Sequence, residues 1–163
     1  ETLYELLAHL EDAFLLRAVP VAADSEKRRQ VNPRKVYPVD HGVSPVFDRS
    51  PKANTGHRLE VAVFNELQRR GSEVGYVRTG SGYEVDFLSR EKAGEQRLIQ
   101  VCENIDNPET LSREVRALEE ASNELGCKEL LLLTGATRMP FPEVPKPVRV
   151  QAAWQWMLEA KEA

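Results

Sequence analysis

Residues 83–102 read YEVDFLSREKAGEQRLIQVC and predict the centre of the fold. Both ends, residues 84–89 and 98–102, are short runs of β-forming residues, and the polar segment between them predicts a hairpin. If the hairpin is symmetric, Asp86 lies opposite Gln100 in the neighbouring strand. Two polar side chains inside strands are unusual, and they make this hairpin the first place to look for a functional site.

Helical and extended patterns alternate around this hairpin. They are found at residues 55–70 (helix), 74–78, 84–89 and 98–102 (strands), 107–126 (helix) and 129–134 (strand). The first helix has an apolar stripe and ends at a glycine, and the second begins with Asn107-Pro108, a capping residue followed by proline at the first helical position. The order helix, three strands, helix, strand predicts an α/β core of mixed sheet with flanking helices over residues 55–134.

The flanking segments are simpler. Residues 1–54 predict an N-terminal linker segment: an amphipathic helix to about Leu15, an extended run, a short strand at residues 35–40, and a loop or irregular helix at 41–54. Residues 135–163 predict a proline-rich crossover followed by a C-terminal helix.

Composition excludes several classes of protein. The chain has 163 residues, 41% of them hydrophobic and 29% charged, which is ordinary for one folded domain. It contains no apolar run long enough to cross a membrane, and its two cysteines without an export signal predict a cytoplasmic protein. It also lacks the GxxxxGK[ST] motif of P-loop ATPases, and its start at a glutamate predicts a piece of a longer protein.

Three polar residues lie where apolar ones are expected. Glu60 falls on the apolar stripe of the first core helix, and a carboxylate buried there needs a partner, a proton or a metal ion. The alternative is a glutamate at the helix edge that reaches solvent. In the strands, Asp86 shares one face with Glu84 and Leu88, and Gln100 shares one with its neighbours two residues away.

Together these three residues predict an oxygen-rich pocket. With Asp86 opposite Gln100 and Glu60 packed over them, the oxygens suit a hard cation such as Mg²⁺. A metal ion held by Glu60, Asp86 and Gln100 could polarise a phosphodiester and lower the pKa of a bound water.

The motifs also resemble a known family. They are KVYPVDHG (35–42), GHRLE (56–60), NELQRRG (65–71), EVDF (84–87), IQV (99–101) and SRE (112–114). In this order they resemble the C-terminal domain of unassigned function in many bacterial and archaeal AAA-type ATPases, with a PD-(D/E)xK nuclease-like core. The resemblance runs from about residue 3 to residue 134.

The resemblance implies a fold, a site and partners. Glu60, Asp86 and Gln100 take the acidic and metal-facing positions, and Mg²⁺ is the implied cofactor. Cys102 stands where active nucleases carry a lysine, so we expect a non-cleaving module that binds nucleic acid or a protein partner. The alternative is an Mg²⁺-dependent endonuclease. The ATPase module of the parent protein, which alone would bind ATP, is the implied partner, and homo-oligomerisation stays open.

A basic cluster is the candidate nucleic-acid contact. It contains five cationic residues and no acid: Lys27, Arg28, Arg29, Arg34 and Lys35. Such a cluster can contact DNA phosphates without reading sequence, although the net charge of −4 argues against a uniformly basic surface. The alternative interpretation is a solvated loop.

Overall fold

A computed structural model describes residues 2–22, 32–40, 42, 55–137 and 139–159. The helices of this part are α1 (Leu3–Asp12), α2 (Thr55–Arg69), α3 (Pro108–Leu125) and α4 (Ala153–Leu158). The strands are β1 (Leu16–Val19), β2 (Lys35–Pro38), β3 (Glu73–Arg78), β4 (Glu84–Arg90), β5 (Gln96–Cys102), β6 (Glu129–Thr134) and β7 (Val148–Ala152).

The strands form two sheets. A five-stranded sheet has the order β3-β4-β5-β6-β7, antiparallel from β3 to β5 and parallel from β5 to β7. β1 and β2 pair antiparallel in a separate two-stranded sheet. The protein is therefore a mixed α/β fold with flanking helices, as the sequence predicts.

Each face of the five-stranded sheet is covered by helices. On one face α3 packs its apolar side, and on the other α2 and α4 pack theirs. The leucines of β6 alternate between the two sides: Leu130 and Leu132 pack towards α3, while Leu131 and Leu133 pack towards α2. A strand that is buried on both faces has a continuous run of apolar residues in its sequence, which explains the four consecutive leucines.

Local signals in the sequence set the ends of α3. The Asn107 side chain accepts hydrogen bonds from the backbone N–H groups of Glu109 and Thr110, with Pro108 at the first helical position. Gly126 closes the helix with φ of 68°, a left-handed conformation that glycine adopts at little cost. The predicted boundaries of this helix are confirmed.

The predicted register of the central hairpin is also confirmed. Phe87 lies opposite Ile99 and Arg90 lies opposite Gln96, the pairing of a symmetric hairpin. Strict alternation along β4 predicts Val85 and Phe87 on one face and Leu88 on the other, and this prediction is wrong. Val85 and Leu88 pack towards α3, whereas Phe87 packs towards α2.

A β-bulge causes this change of face. β3 pairs Gly75 with Leu88 and then Val77 with Val85, so two residues of β4, Asp86 and Phe87, oppose one residue of β3. The extra residue interrupts the alternation of side chains between the two faces. Periodicity in the sequence cannot reveal such an insertion.

The two-stranded sheet is attached to the α2 face of the larger sheet. Tyr37 is 1% exposed and packs among core residues of that face, and Val21 forms a bridge with Tyr76 of β3. The Tyr76 hydroxyl donates a hydrogen bond of 2.6 Å to the carbonyl oxygen of Pro33. β2 is thereby held beside α2 and β4. Among the described residues, none of the helices combines the length and apolar character needed to cross a membrane.

Candidate functional site

One ammonium group lies among three carboxylates on the α2 face. Lys35 Nζ is 3.3 Å from Glu60 Oε1, 2.9 Å from Glu84 Oε1 and 3.0 Å from Asp86 Oδ1. We call these four residues the carboxylate cluster. They come from three elements, since Lys35 lies on β2, Glu60 on α2, and Glu84 and Asp86 on β4.

Local geometry directs Asp86 into the cluster. Asp86 is one of the two bulge residues of β4, and bulges commonly re-aim a side chain beside a functional site. Its Oδ1 accepts from Lys35 Nζ, and its Oδ2 accepts from the backbone N–H of Val101 at 3.0 Å. Both carboxylate oxygens therefore have a donor, as a buried carboxylate requires.

Tyr37 completes the site from β2. Its hydroxyl donates a 2.5 Å hydrogen bond to Glu60 Oε1, the same oxygen that Lys35 contacts. Its ring stacks on Phe64 with centroids 4.7 Å apart. His57 lies one helical turn before Glu60, with Nδ1 3.9 Å from Glu60 Oε2.

The ionisation of these groups follows from burial and charge. Burial, and next the Glu60 carboxylate, raise the pKa of Asp86 to about 6, although Lys35 and the Val101 N–H act in the opposite direction. Burial alone would lower the pKa of Lys35, but Asp86, Glu60 and the hydrogen bonds outweigh it and raise that pKa. Burial and Glu60 raise the pKa of Tyr37, so its hydroxyl stays protonated.

The cluster carries excess negative charge. Three carboxylates face one ammonium, which leaves two negative charges when all four groups are ionised. The exposed fraction is 13% for the Asp86 side chain, 20% for Glu60 and 22% for Lys35, but 46% for Glu84. Water therefore screens Glu84 best, and the charge on Asp86 is the most costly.

Gln100 lies on the other face of the sheet. Its Oε1 accepts from the backbone N–H of Asp86 at 3.2 Å, and its Nε2 donates to Glu114 Oε2 of α3 at 2.7 Å. Glu114 also accepts from Arg113 at 2.6 Å. We call Gln100 and Glu114 the α3-face pair. The structure thus brings Glu60 and Asp86 together in one cluster, while the side chain of Gln100 bonds to the Asp86 backbone and to α3.

Cys102 also belongs to the α3 face. It packs in the core beneath α3, and its thiol donates to the carbonyl oxygen of Asn104. Burial and the Glu114 carboxylate raise the pKa of this thiol, so it is protonated at neutral pH and is neither a cation nor a nucleophile.

The structure separates two members of the basic cluster. Arg34 is exposed, but Lys35 directs its ammonium into the carboxylate cluster. Because its ammonium is bonded to three carboxylates, Lys35 is not available to contact a phosphate backbone. The prediction that groups Lys35 with the surface cations is therefore corrected. Lys27, Arg28 and Arg29 lie outside the described residues.

The fit of a metal ion follows from the same contacts. Mg²⁺ needs several oxygen atoms at 2.0–2.1 Å in near-octahedral geometry. In the part of the chain that the structure describes, no group of three or more His, Cys, Asp or Glu side chains is arranged to hold a metal ion. The oxygens of Glu60 and Asp86 instead surround Lys35. As arranged, these residues do not fit Mg²⁺.

Sequence reasoning missed Lys35, Tyr37, Glu84 and Glu114 as parts of these arrangements. Lys35 and Tyr37 are two residues apart on a short strand, the spacing that puts both on one face. Glu114 lies between Leu111, Val115 and Leu118 on the apolar stripe of α3, the same kind of signal that marked Glu60.

Comparison of the chain with protein-family models, with curated proteins and with solved structures finds no match.

Proposed function

We propose that this chain is a nuclease-like α/β module that binds a partner and does not cleave phosphodiesters. Two features support a nuclease-like core. The first is the order of elements from α2 to β6, and the second is a helix glutamate, Glu60, that contacts the same ammonium as a strand aspartate, Asp86. A metal-dependent nuclease would need these same two carboxylates for its metal ion.

The observation that carries the proposal is the contact of Lys35 with three carboxylates at 2.9–3.3 Å. A cation of the protein itself already neutralises part of the charge that would attract Mg²⁺. In addition, the resemblance aligns Cys102 with the lysine of active nucleases, but its thiol is protonated and packs on the α3 face, so it cannot stabilise charge on a phosphate at the carboxylate cluster.

The partner that we propose is a protein, namely the ATPase module implied by the resemblance. No residue of α1 is buried, and the large apolar side chains of Leu3, Tyr4 and Leu6 are exposed. An exposed apolar helix face is more typical of a protein contact than of a DNA contact. Nucleic-acid binding through the surface cations stays a prediction.

The test is a cleavage assay on plasmid and single-stranded DNA with Mg²⁺ or Mn²⁺. The matched control is Asp86→Asn, which removes one carboxylate of the cluster. We expect equal background cleavage for the wild type and the variant. Cleavage by the wild type that requires metal and is lost in Asp86→Asn would overturn the proposal.

Co-elution with the ATPase module of the parent protein tests the partner, and we expect Leu6→Glu to abolish co-elution while Arg34→Ala leaves it intact.

A second candidate function is Mg²⁺-dependent phosphodiester hydrolysis. The observation that favours it is the excess of two negative charges in the cluster, together with the raised pKa of Asp86. Both properties are typical of a site that binds a cation. The cleavage assay decides between the two functions.

A further inference from the structure

We infer that Lys35 is an internal counter-ion that takes the place of a divalent cation in the carboxylate cluster. The inference deepens the proposed function and rests on it, because it gives the reason why a nuclease-like pocket does not cleave. It concerns metal binding, which is measured independently of cleavage.

The contacts of Lys35 resemble those of a bound cation. Its Nζ is within 3.3 Å of oxygens from Glu60, Glu84 and Asp86, side chains that belong to two different elements of the core. The Tyr76 ring lies on another side, with its centroid 5.6 Å from Nζ. An ammonium has three donors, and three carboxylates are available to accept them.

The oxygens that a metal ion would need already have donors. Glu60 Oε1 accepts from both Lys35 and the Tyr37 hydroxyl. Asp86 Oδ1 accepts from Lys35, and Oδ2 accepts from the Val101 N–H. A divalent ion entering this arrangement would have to displace the Lys35 ammonium and break hydrogen bonds in a largely buried site, which is costly.

The counter-ion comes from outside the five-stranded sheet. Lys35 lies on β2, which is held against the core by the packing of Tyr37 and by the hydrogen bond from Tyr76 to Pro33. The docking of the β1–β2 sheet therefore supplies the cation. Without the ammonium, three carboxylates would repel one another across a short distance, and a metal ion would relieve that repulsion.

The test measures thermal unfolding with and without millimolar Mn²⁺, using the metal alone as the probe. For Lys35→Met we expect Mn²⁺ to raise the unfolding temperature by about 5 °C, since only the folded state would assemble the site. We expect no shift for the wild type, for Lys128→Met, in which an exposed lysine is removed, or for Lys35→Met/Asp86→Asn.

Each other outcome counts against the inference. An equal shift in the wild type and Lys35→Met would mean that Lys35 does not exclude metal. No shift in Lys35→Met would mean that the carboxylates do not form a latent cation site. If Lys35→Met is unfolded without metal, circular dichroism should show that Mn²⁺ restores its structure, and failure to do so would overturn the inference. Binding of Mn²⁺ by the wild type without cleavage would overturn it and leave the proposed function intact.

Discussion

The two faces of the five-stranded sheet bury carboxylates in different surroundings. On the α3 face, the single carboxylate of Glu114 accepts hydrogen bonds from the Gln100 amide and from Arg113. On the α2 face, three carboxylates share the ammonium of Lys35. The first arrangement is balanced in charge, whereas the second has two negative charges in excess.

This difference separates a structural contact from a candidate site. A balanced, hydrogen-bonded pair needs nothing further and ties α3 to the strand hairpin. An unbalanced cluster is costly to bury, and such groups concentrate at functional sites.

Lys35→Met should cause the largest loss of stability. It leaves the carboxylates of Glu60 and Asp86 without their cation, and breaking a buried ion pair in this way should lower the free energy of unfolding by about 3 kcal/mol. Urea denaturation at neutral pH, followed by the fluorescence of the buried Trp156, measures the change. Lys128→Met is the control and should change stability by less than about 0.5 kcal/mol. A similarly small effect of Lys35→Met would mean that the cluster does not depend on its ammonium.

The pH dependence of stability should reveal the cost of ionising Asp86. The pKa of this group is about 6 in the folded protein, against about 4 when unfolded. Between these values the folded state holds a proton that the unfolded state releases, so rising pH favours unfolding. Relative to Asp86→Asn, the wild type should lose about 2 kcal/mol of stability from about pH 4 to about pH 7. A difference between the two proteins that stays constant over this range would contradict the assignment.

Tyr37→Phe should have a smaller effect on the same cluster. The substitution keeps the ring that stacks on Phe64 and removes only the hydroxyl that donates to Glu60. Loss of a hydrogen bond to a buried carboxylate should lower the free energy of unfolding by about 1.5 kcal/mol. Tyr4→Phe, at an exposed position, is the matched control and should be neutral in the same denaturation experiment. Equal effects of the two substitutions would mean that the Tyr37 hydroxyl does not stabilise the carboxylate cluster.

Glu114→Gln should have the smallest effect. A glutamine can still accept the hydrogen bond from Gln100, but its NH₂ group cannot accept from Arg113, so the contact with this largely exposed guanidinium is lost. We expect a decrease of about 1 kcal/mol in the free energy of unfolding and no response to Mn²⁺. Glu143→Gln, at an exposed position, is the control. If Glu114→Gln lowered the free energy of unfolding as much as Lys35→Met, the carboxylates of the two faces would not differ in the way described above.

Much of the fold could be predicted because its signals are local. The capping by Asn107, the left-handed Gly126 and the four leucines of β6 each depend on a few neighbouring residues. Glu60 and Asp86 were identifiable because a carboxylate on an apolar helix stripe or inside a strand conflicts with its surroundings.

The rest of the site depends on features that periodicity does not contain. The bulge places Phe87 on the α2 face beside Asp86 and Leu88 on the α3 face, which strict alternation does not predict. Lys35 reaches Glu60 and Asp86 across 25 and 51 residues of sequence, from a strand outside the main sheet. Read along the chain it belongs to a basic run, and only the tertiary fold brings it to the carboxylates.

We infer that the Lys35 ammonium occupies the position that a divalent cation would need. This inference is tested by calorimetric titration of the wild-type protein with millimolar Mg²⁺ at neutral pH, with Asp86→Asn titrated in parallel. We predict no saturable heat for either protein. Saturable Mg²⁺ binding by the wild type that Asp86→Asn abolishes would contradict the account and favour a metal-dependent site.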